Sequence, residues 1–145
     1  MDFGKAGLIV ICRRTKKVAL IKGIKSERWG FPKGDVDSRE SLKYAAVREF
    51  NEETGHEIKN VADNVSLKVK GQPDKIFFIS IVEESFDMKI QESEVSEAKW
   101  INLKGISNTD QNYTYDVRLL SKILAGYSRI PEQIRLKNYI EKKVY

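Results

Sequence analysis

Gly34-Asp35-Val36-Asp37-Ser38-Arg39-Glu40-Ser41-Leu42-Lys43-Tyr44-Ala45-Ala46-Val47-Arg48-Glu49-Phe50-Asn51-Glu52-Glu53-Thr54-Gly55 carries the strongest helix signals in the chain. Asp37 with Glu40 three residues on has the form of a capping box, and Gly55 suits the position just past a helix end, so a helix is expected at about 39–54. Its last turns hold Glu49, Glu52 and Glu53, where the macrodipole is negative and each carboxylate is disfavoured by roughly a few tenths of a kcal/mol or more. Glu49 and Glu53 are also a like-charge i,i+4 pair, and Glu49 and Glu52 an i,i+3 pair, so they repel. A divalent cation offsets this repulsion, because Mg²⁺ or Mn²⁺ takes oxygen ligands and carboxylates one turn apart converge on one point. Arg48 is placed to orient a neighbouring carboxylate by a bidentate contact. The plainer reading is a solvated acidic face with Arg48 in a surface ion pair.

Working outward, 145 residues suit one domain, taken here as 1–145, and leave no room for a second of full size. The composition, 41% hydrophobic and 32% charged, is that of a globular protein rather than a disordered or fibrous one. No apolar run is long enough to span a membrane, and Met1-Asp2-Phe3-Gly4-Lys5 lacks the order of a signal peptide, so a cytosolic or nuclear location is expected. A single cysteine, Cys12, excludes an internal disulfide and a multi-cysteine zinc site, and a single histidine, His56, excludes any site needing two. The difficult chemistry then falls to carboxylates, lysines, arginines and a hard metal ion. The net charge of +5 is uneven: residues 1–34 and 112–145 are basic, and 35–111 are acidic. That arrangement suits a polyanion held by basic flanks over a cation-binding centre, and equally a protein kept soluble by its charge.

Gly7–Cys12 and Val18–Ile21 are apolar, β-branched runs separated by Arg13-Arg14-Thr15-Lys16-Lys17 and read as a hairpin. Trp29-Gly30-Phe31-Pro32-Lys33-Gly34 is too rich in Gly and Pro for a helix and reads as a loop or strand end. Strands are expected around 65–69, 75–82 and 98–101, followed by helices over the basic segment of about 112–145, one of them starting at Pro131. The order of elements predicts a mixed α/β or α+β sandwich. Cys12, inside an apolar strand, is most simply a core residue.

From Gly34 the spacing is five residues, Glu40, seven residues, then Arg48-Glu49-Phe50-Asn51-Glu52-Glu53-Thr54-Gly55. This resembles the signature of the Nudix hydrolases at eight of its nine specified positions. The departure is His56, where that family usually has an aliphatic residue, which puts local packing in question more than chemistry. The resemblance implies an α/β/α sandwich with a mixed sheet and Mg²⁺- or Mn²⁺-dependent cleavage of a diphosphate linked to another group. It implies Glu49, Glu52, Glu53 and the Gly34 carbonyl as metal ligands, Glu40 as an auxiliary carboxylate, Arg48 as their orienting partner and Lys33 as a contact to substrate phosphate.

The flanks carry a narrower resemblance, running from about Gly7 to Leu124. Trp29–Gly34, Lys75-Ile76-Phe77-Phe78-Ile79, Glu94-Val95-Ser96-Glu97-Ala98-Lys99-Trp100 and, more loosely, Asn112–Leu124 are similar to segments of the catalytic domain of messenger-RNA decapping enzymes. Diadenosine tetraphosphate hydrolases share the Pro-Lys-Gly part. The decapping resemblance implies that Glu94, in preference to Glu97, is a general base or further metal ligand, the alternative being an exposed loop acid. It also implies an RNA-binding helix carrying Lys122. Arg118, Lys122, Arg129, Arg135, Lys137, Lys142 and Lys143 would then track an RNA backbone, or else form a solvated basic face. Tyr113 is a candidate to stack on a base, and Trp29 is either that or a core residue. The implied reaction is hydrolysis of the 5′ cap with release of 7-methylguanosine diphosphate. The alternatives are the same chemistry on a dinucleoside polyphosphate or a diphosphoinositol polyphosphate, and, in a different class, a non-catalytic RNA-binding module. Cellular decapping enzymes carry an amino-terminal regulatory domain, so decapping here would recognise the cap without that domain or with a partner protein supplying it. Small stand-alone versions resemble those of large DNA viruses.

Overall fold

The computed structural model describes residues 2–145. Seven strands form one mixed sheet: β1 (Lys5–Cys12), β2 (Val18–Gly23), β3 (Trp29–Gly30), β4 (Lys33–Asp35), β5 (Ser66–Val69), β6 (Lys75–Val82) and β7 (Val95–Ile101). Three helices accompany them: α1 (Leu42–Thr54), α2 (Tyr115–Leu124) and α3 (Pro131–Val144). β1 is the central strand. It runs parallel to β6 along its whole length, turns into β2 through the expected hairpin, with Ile11 opposite Val18, and pairs antiparallel with β4 at its start. β5 extends the sheet beyond β6, and β3 and β7 both pair with β2.

The side-chain period of two along β1 divides the core between two faces. Ala6, Leu8 and Val10 pack with Ala45, Ala46 and Phe50 of α1, whereas Ile9 and Ile11 pack with Val117, Leu120 and Ile123 of α2 and Leu136, Ile140 and Val144 of α3. A strand apolar on both faces is what a sheet covered by helices on each side requires, and the result is the expected α/β/α sandwich. Cys12 is buried in this strand.

Several boundaries differ from the sequence expectation. α1 starts at Leu42 rather than near residue 39, because Ser41, not Asp37, is its N-cap and accepts a hydrogen bond from Tyr44 N at 3.1 Å. Only half of the expected capping box forms between Asp37 and Glu40: Asp37 N donates to the Glu40 carboxylate at 2.8 Å, whereas the Asp37 side chain accepts from Arg39 N at 3.0 Å, and together they close the turn before the helix. Gly55 ends the helix as expected, at φ 73°. Trp29–Gly34 forms two short strands, because both ends of the segment are drawn into pairing with β2 and β1. β7 starts at Val95, three residues early, by pairing with β2. Among the described residues no helix is long and apolar enough to cross a membrane.

Candidate active site

β4 and the carboxyl-terminal half of α1 lie side by side, and that juxtaposition builds the site. α1 has no basic residue in its last turn, so its carboxylates find their counter-charges elsewhere. Arg48 is the hub. Its Nε and Nη2 donate to both oxygens of Glu40 at 2.6 and 2.7 Å, its Nη1 donates to Glu49 at 2.9 Å and Glu52 at 3.1 Å, and Nη2 also reaches the Asp35 carbonyl at 3.0 Å. The guanidinium fork suits this role, since it presents its donors in fixed directions. Its hydrogen bonds to Glu40, above all, hold the Arg48 pKa higher still than usual. The same contact, aided by the Asp37 amide, holds the Glu40 carboxyl down at about 2.

Glu53 has no such cation. It is 6% exposed, and its Oε1 accepts one hydrogen bond, from the Lys33 backbone N–H at 2.8 Å. Burial, then the neighbouring Glu49 charge, pushes its pKa up to about 8. Glu49 is also raised, by burial first and by Glu52 and Glu94, against the pull of Arg48. Burial lowers Lys33, with Lys75 and Lys5 acting in the same direction and Asp116 and Glu53 opposing. At neutral pH the site therefore favours a proton on Glu53, and a closely placed cation would displace it.

This shift fixes the sign of a pH dependence. Glu53 titrates near 4.5 when unfolded and near 8 when folded, so the folded state holds the extra proton between those values. In the presence of a chelator, the thermal midpoint is expected to fall from about pH 5 to pH 8, with a total cost on the order of a few kcal/mol. Glu40 acts oppositely: its stabilisation is complete above about 4.5 and is lost toward 2. A calorimetric midpoint that stays flat from pH 5 to 8 would contradict this assignment.

Gly34 sits on β4 opposite Ala6, with its Cα against the Glu49 carboxyl group, so that a Cβ there would collide with it. Gly34→Ala should leave the thermal midpoint within a few degrees, because the Glu49 side chain can swing away, yet lower turnover at least tenfold by displacing that carboxylate. A crystal structure of the variant checks the displacement directly.

The other expected residues divide into two groups. Glu94 is exposed on the loop entering β7, and its charge is felt at both Glu49 and Glu53. Glu97 lies on β7, 3.7 Å from Lys99. Lys122 stands apart: it is exposed on α2 and lines a 900 Å³ cavity formed with the 103–108 loop, Tyr127 and Tyr145, a cavity that none of the α1 carboxylates lines. Arg118 and Lys137 are engaged internally, by the Asn108 carbonyl at 2.8 Å and Glu141 at 2.5 Å, while Arg129, Arg135, Lys142 and Lys143 are exposed. Trp29 and Tyr113 are bridged to each other and pack at the edge of the core. His56 stacks flat on Phe86, 3.5 Å between ring centres, which explains an aromatic ring where an aliphatic residue was expected.

Among the described residues, no three His, Cys, Asp or Glu side chains are arranged to hold a metal ion, since Glu49 and Glu52 turn to Arg48 and Glu53 to the Lys33 amide. The donor chemistry nevertheless fits a hard dication: Glu49 and Glu53 are charge-frustrated, oxygen-bearing and adjacent to a backbone that a side chain would obstruct. No local pattern announces the ion pair between half-buried Lys75 and buried Asp116, 2.8 Å, which lies close enough for both charges to act on Lys33.

Residues 3–121 match the NUDIX domain family, and the chain belongs to it. Over 95% of its length it is 30% identical to a Saccharomyces cerevisiae protein described as m7GpppN-mRNA hydrolase, although it spans only 15% of that relative. It is also 32% identical to an RNA pyrophosphohydrolase of Pelagibacter ubique, over 69% of this chain and 77% of the relative. In fold it is similar to a C. elegans Ap4A hydrolase in binary complex, with a TM-score of 0.68 and 21% identity over 84% of this chain and 98% of that one.

Proposed function

We propose that this chain hydrolyses the pyrophosphate linkage of the 5′ cap of RNA, releasing 7-methylguanosine diphosphate, and does so with Mg²⁺ or Mn²⁺. The observation that carries the reading is the buried, charge-frustrated Glu53 beside Glu49, within a chain 30% identical over 95% of its length to an mRNA cap hydrolase. A divalent ion bound by Glu49, Glu52, Glu53 and the Gly34 carbonyl would screen the phosphate oxygens and make water more acidic. Arg48 orients Glu49 and Glu52 while remaining anchored on Glu40. Lys33 offers its ammonium to phosphate and its amide to Glu53. Glu94 is the general base, exposed and near enough for its charge to act on Glu49 and Glu53, and takes a proton from the attacking water. The exposed cations of α2 and α3, Lys122 among them, guide the RNA.

A second reading is favoured by the Pelagibacter relative, described as an RNA pyrophosphohydrolase: the same centre would then act on uncapped triphosphorylated RNA. A dinucleoside polyphosphate and a diphosphoinositol polyphosphate remain the smaller alternatives. The deciding experiment supplies cap-labelled long RNA, 5′-triphosphate RNA, free cap dinucleotide, diadenosine tetraphosphate and a diphosphoinositol polyphosphate side by side with each metal. Long capped RNA should be cut fastest, with its advantage over the free cap shrinking as salt rises, because phosphate contacts release counterions. Equal rates on capped RNA and free cap would remove the RNA-guiding role of the helices. Binding of RNA without cleavage of any substrate would favour a binding module.

A further inference from the structure

Between β6 and β7 the chain runs from Ser85 to Gln91 with no regular secondary structure before it reaches Glu94. The contacts that fasten this strap converge on the exit of α1. The Lys89 N–H donates to the Thr54 carbonyl at 2.7 Å, satisfying one of the free acceptors at the helix end, one residue beyond Glu53. Gly55 permits that approach, since a Cβ there would stand 3.1 Å from Lys89 Cβ and 3.2 Å from the Lys89 carbonyl oxygen. Three residues earlier in the strap, Phe86 lies flat on the His56 ring, 3.5 Å between centres and 7° between planes. Trp100 of β7 meets the same Phe86 ring edge-on at 5.0 Å, and its indole Nε1 donates to the Phe86 carbonyl at 2.9 Å. Past Lys89 the Gln91 carbonyl closes the turn, accepting from Glu94 N at 3.1 Å and Val95 N at 3.0 Å. His56 directly follows the glycine that ends α1, so its ring is carried by the same helix end as the carboxylates.

We propose that His56 is a positioning residue: its stack on Phe86 seats the 86–91 strap on the end of α1 and so sets where Glu94 stands against the α1 carboxylates. The inference rests on the hydrolase reading for the role of Glu94, and on the contacts alone for the seating of the strap. Two stacked rings fix tilt as well as distance, which an aliphatic side chain at position 56 does not. Glu94 is exposed, and its placement follows from two backbone ties. One is to β2, where Ile24 N donates to the Glu94 carbonyl at 3.1 Å, and the other runs back through Gln91 and Lys89 to the stack. The strap and the helix are near neighbours at this point, since the Glu94 charge acts on both Glu49 and Glu53. A displaced general base is felt in turnover and not in substrate affinity, because it acts on the water and holds no phosphate.

The first arm of the test needs no turnover: hydrogen–deuterium exchange of the full chain, with a chelator present, in the wild type, His56→Leu and His56→Phe. In His56→Leu the peptides covering 86–95 should exchange about tenfold faster while 42–51 of α1 keeps its protection, and His56→Phe, which retains a flat ring, should match the wild type. Phe86→Leu removes the other half of the stack and should reproduce the His56→Leu result, with nothing further added in the double variant. The second arm is steady-state cleavage of capped RNA with Mn²⁺. His56→Leu should lower kcat about tenfold at unchanged KM, and His56→Phe should restore it. In a Glu94→Gln protein the same His56→Leu change should cost less than about twofold. Unaltered exchange in His56→Leu, or exchange that His56→Phe fails to restore, overturns the proposal. So does a loss that falls on KM, or an equal loss of kcat with and without Glu94, which would make the stack a support for the fold alone. A protein that seats its strap through His56 yet cleaves nothing would defeat the hydrolase reading and leave the seating in place.

Discussion

Glu53→Gln is expected to lower turnover on capped RNA about 10³-fold and at the same time to raise the thermal midpoint of the chelated protein at pH 8. The two effects have one origin. Burial and Glu49 oppose a negative charge on Glu53, and its Oε1 already accepts the Lys33 N–H, a bond that a glutamine oxygen keeps. The neutral isostere therefore relieves the repulsion without opening a cavity, and it abolishes the fall in midpoint between pH 5 and 8. What it loses is the charge that would hold a dication. Added Mn²⁺ should consequently raise the midpoint of the wild-type protein by several degrees and that of the variant much less. Single-turnover kinetics with capped RNA, alongside differential scanning calorimetry, measures both. A variant that is inactive and also less stable at pH 8 would mean that Glu53 serves the fold, and the frustrated-carboxylate account would have to be abandoned.

Arg48→Ala should be the most destabilising change at the site. It strips the counter-charge from three carboxylates at once, Glu40, Glu49 and Glu52, and leaves the Asp35 carbonyl without its donor. We expect the midpoint to fall by roughly 5 °C or more and turnover by about 10²-fold, with Arg48→Lys recovering little, since a single ammonium cannot span contacts spread over three side chains. Mn²⁺ should stabilise Arg48→Ala by more degrees than it does the wild-type protein, because Glu49 and Glu52 are then free to take it without competition. An Arg48→Ala protein with an unchanged midpoint would reduce the network to a surface ion pair of the weak kind.

The α1 segment was readable because its conflict is local: three glutamates at the negative end of a helix, with no lysine in the last turn, need no tertiary information to be recognised as anomalous. The same holds for the β1–β2 hairpin and for the proline that opens α3. What escaped the sequence depends on contacts between distant segments. Asp37 looked like a helix cap because the pattern Asp-x-x-Glu fits one, but Ser41 stands four residues nearer the apolar stripe and took the position. β3, β4 and the early start of β7 exist because neighbouring strands supply partners, which propensity does not register. The Lys75–Asp116 pair joins residues 41 apart in the chain, with nothing in either segment to announce it.

The alternation along β1 separates the molecule into two halves that meet at a single strand. Residues 6, 8 and 10 of that strand serve only the layer bearing the glutamates, and residues 9 and 11 only the layer made by the two terminal helices. Grafting a foreign pair of terminal helices onto the chain therefore requires refitting one set of β1 side chains and leaves the other untouched. Under the proposed function, in which those helices guide the ligand and the glutamates hold the metal, ligand preference is exchangeable by recombination or by an engineer without touching the carboxylate layer.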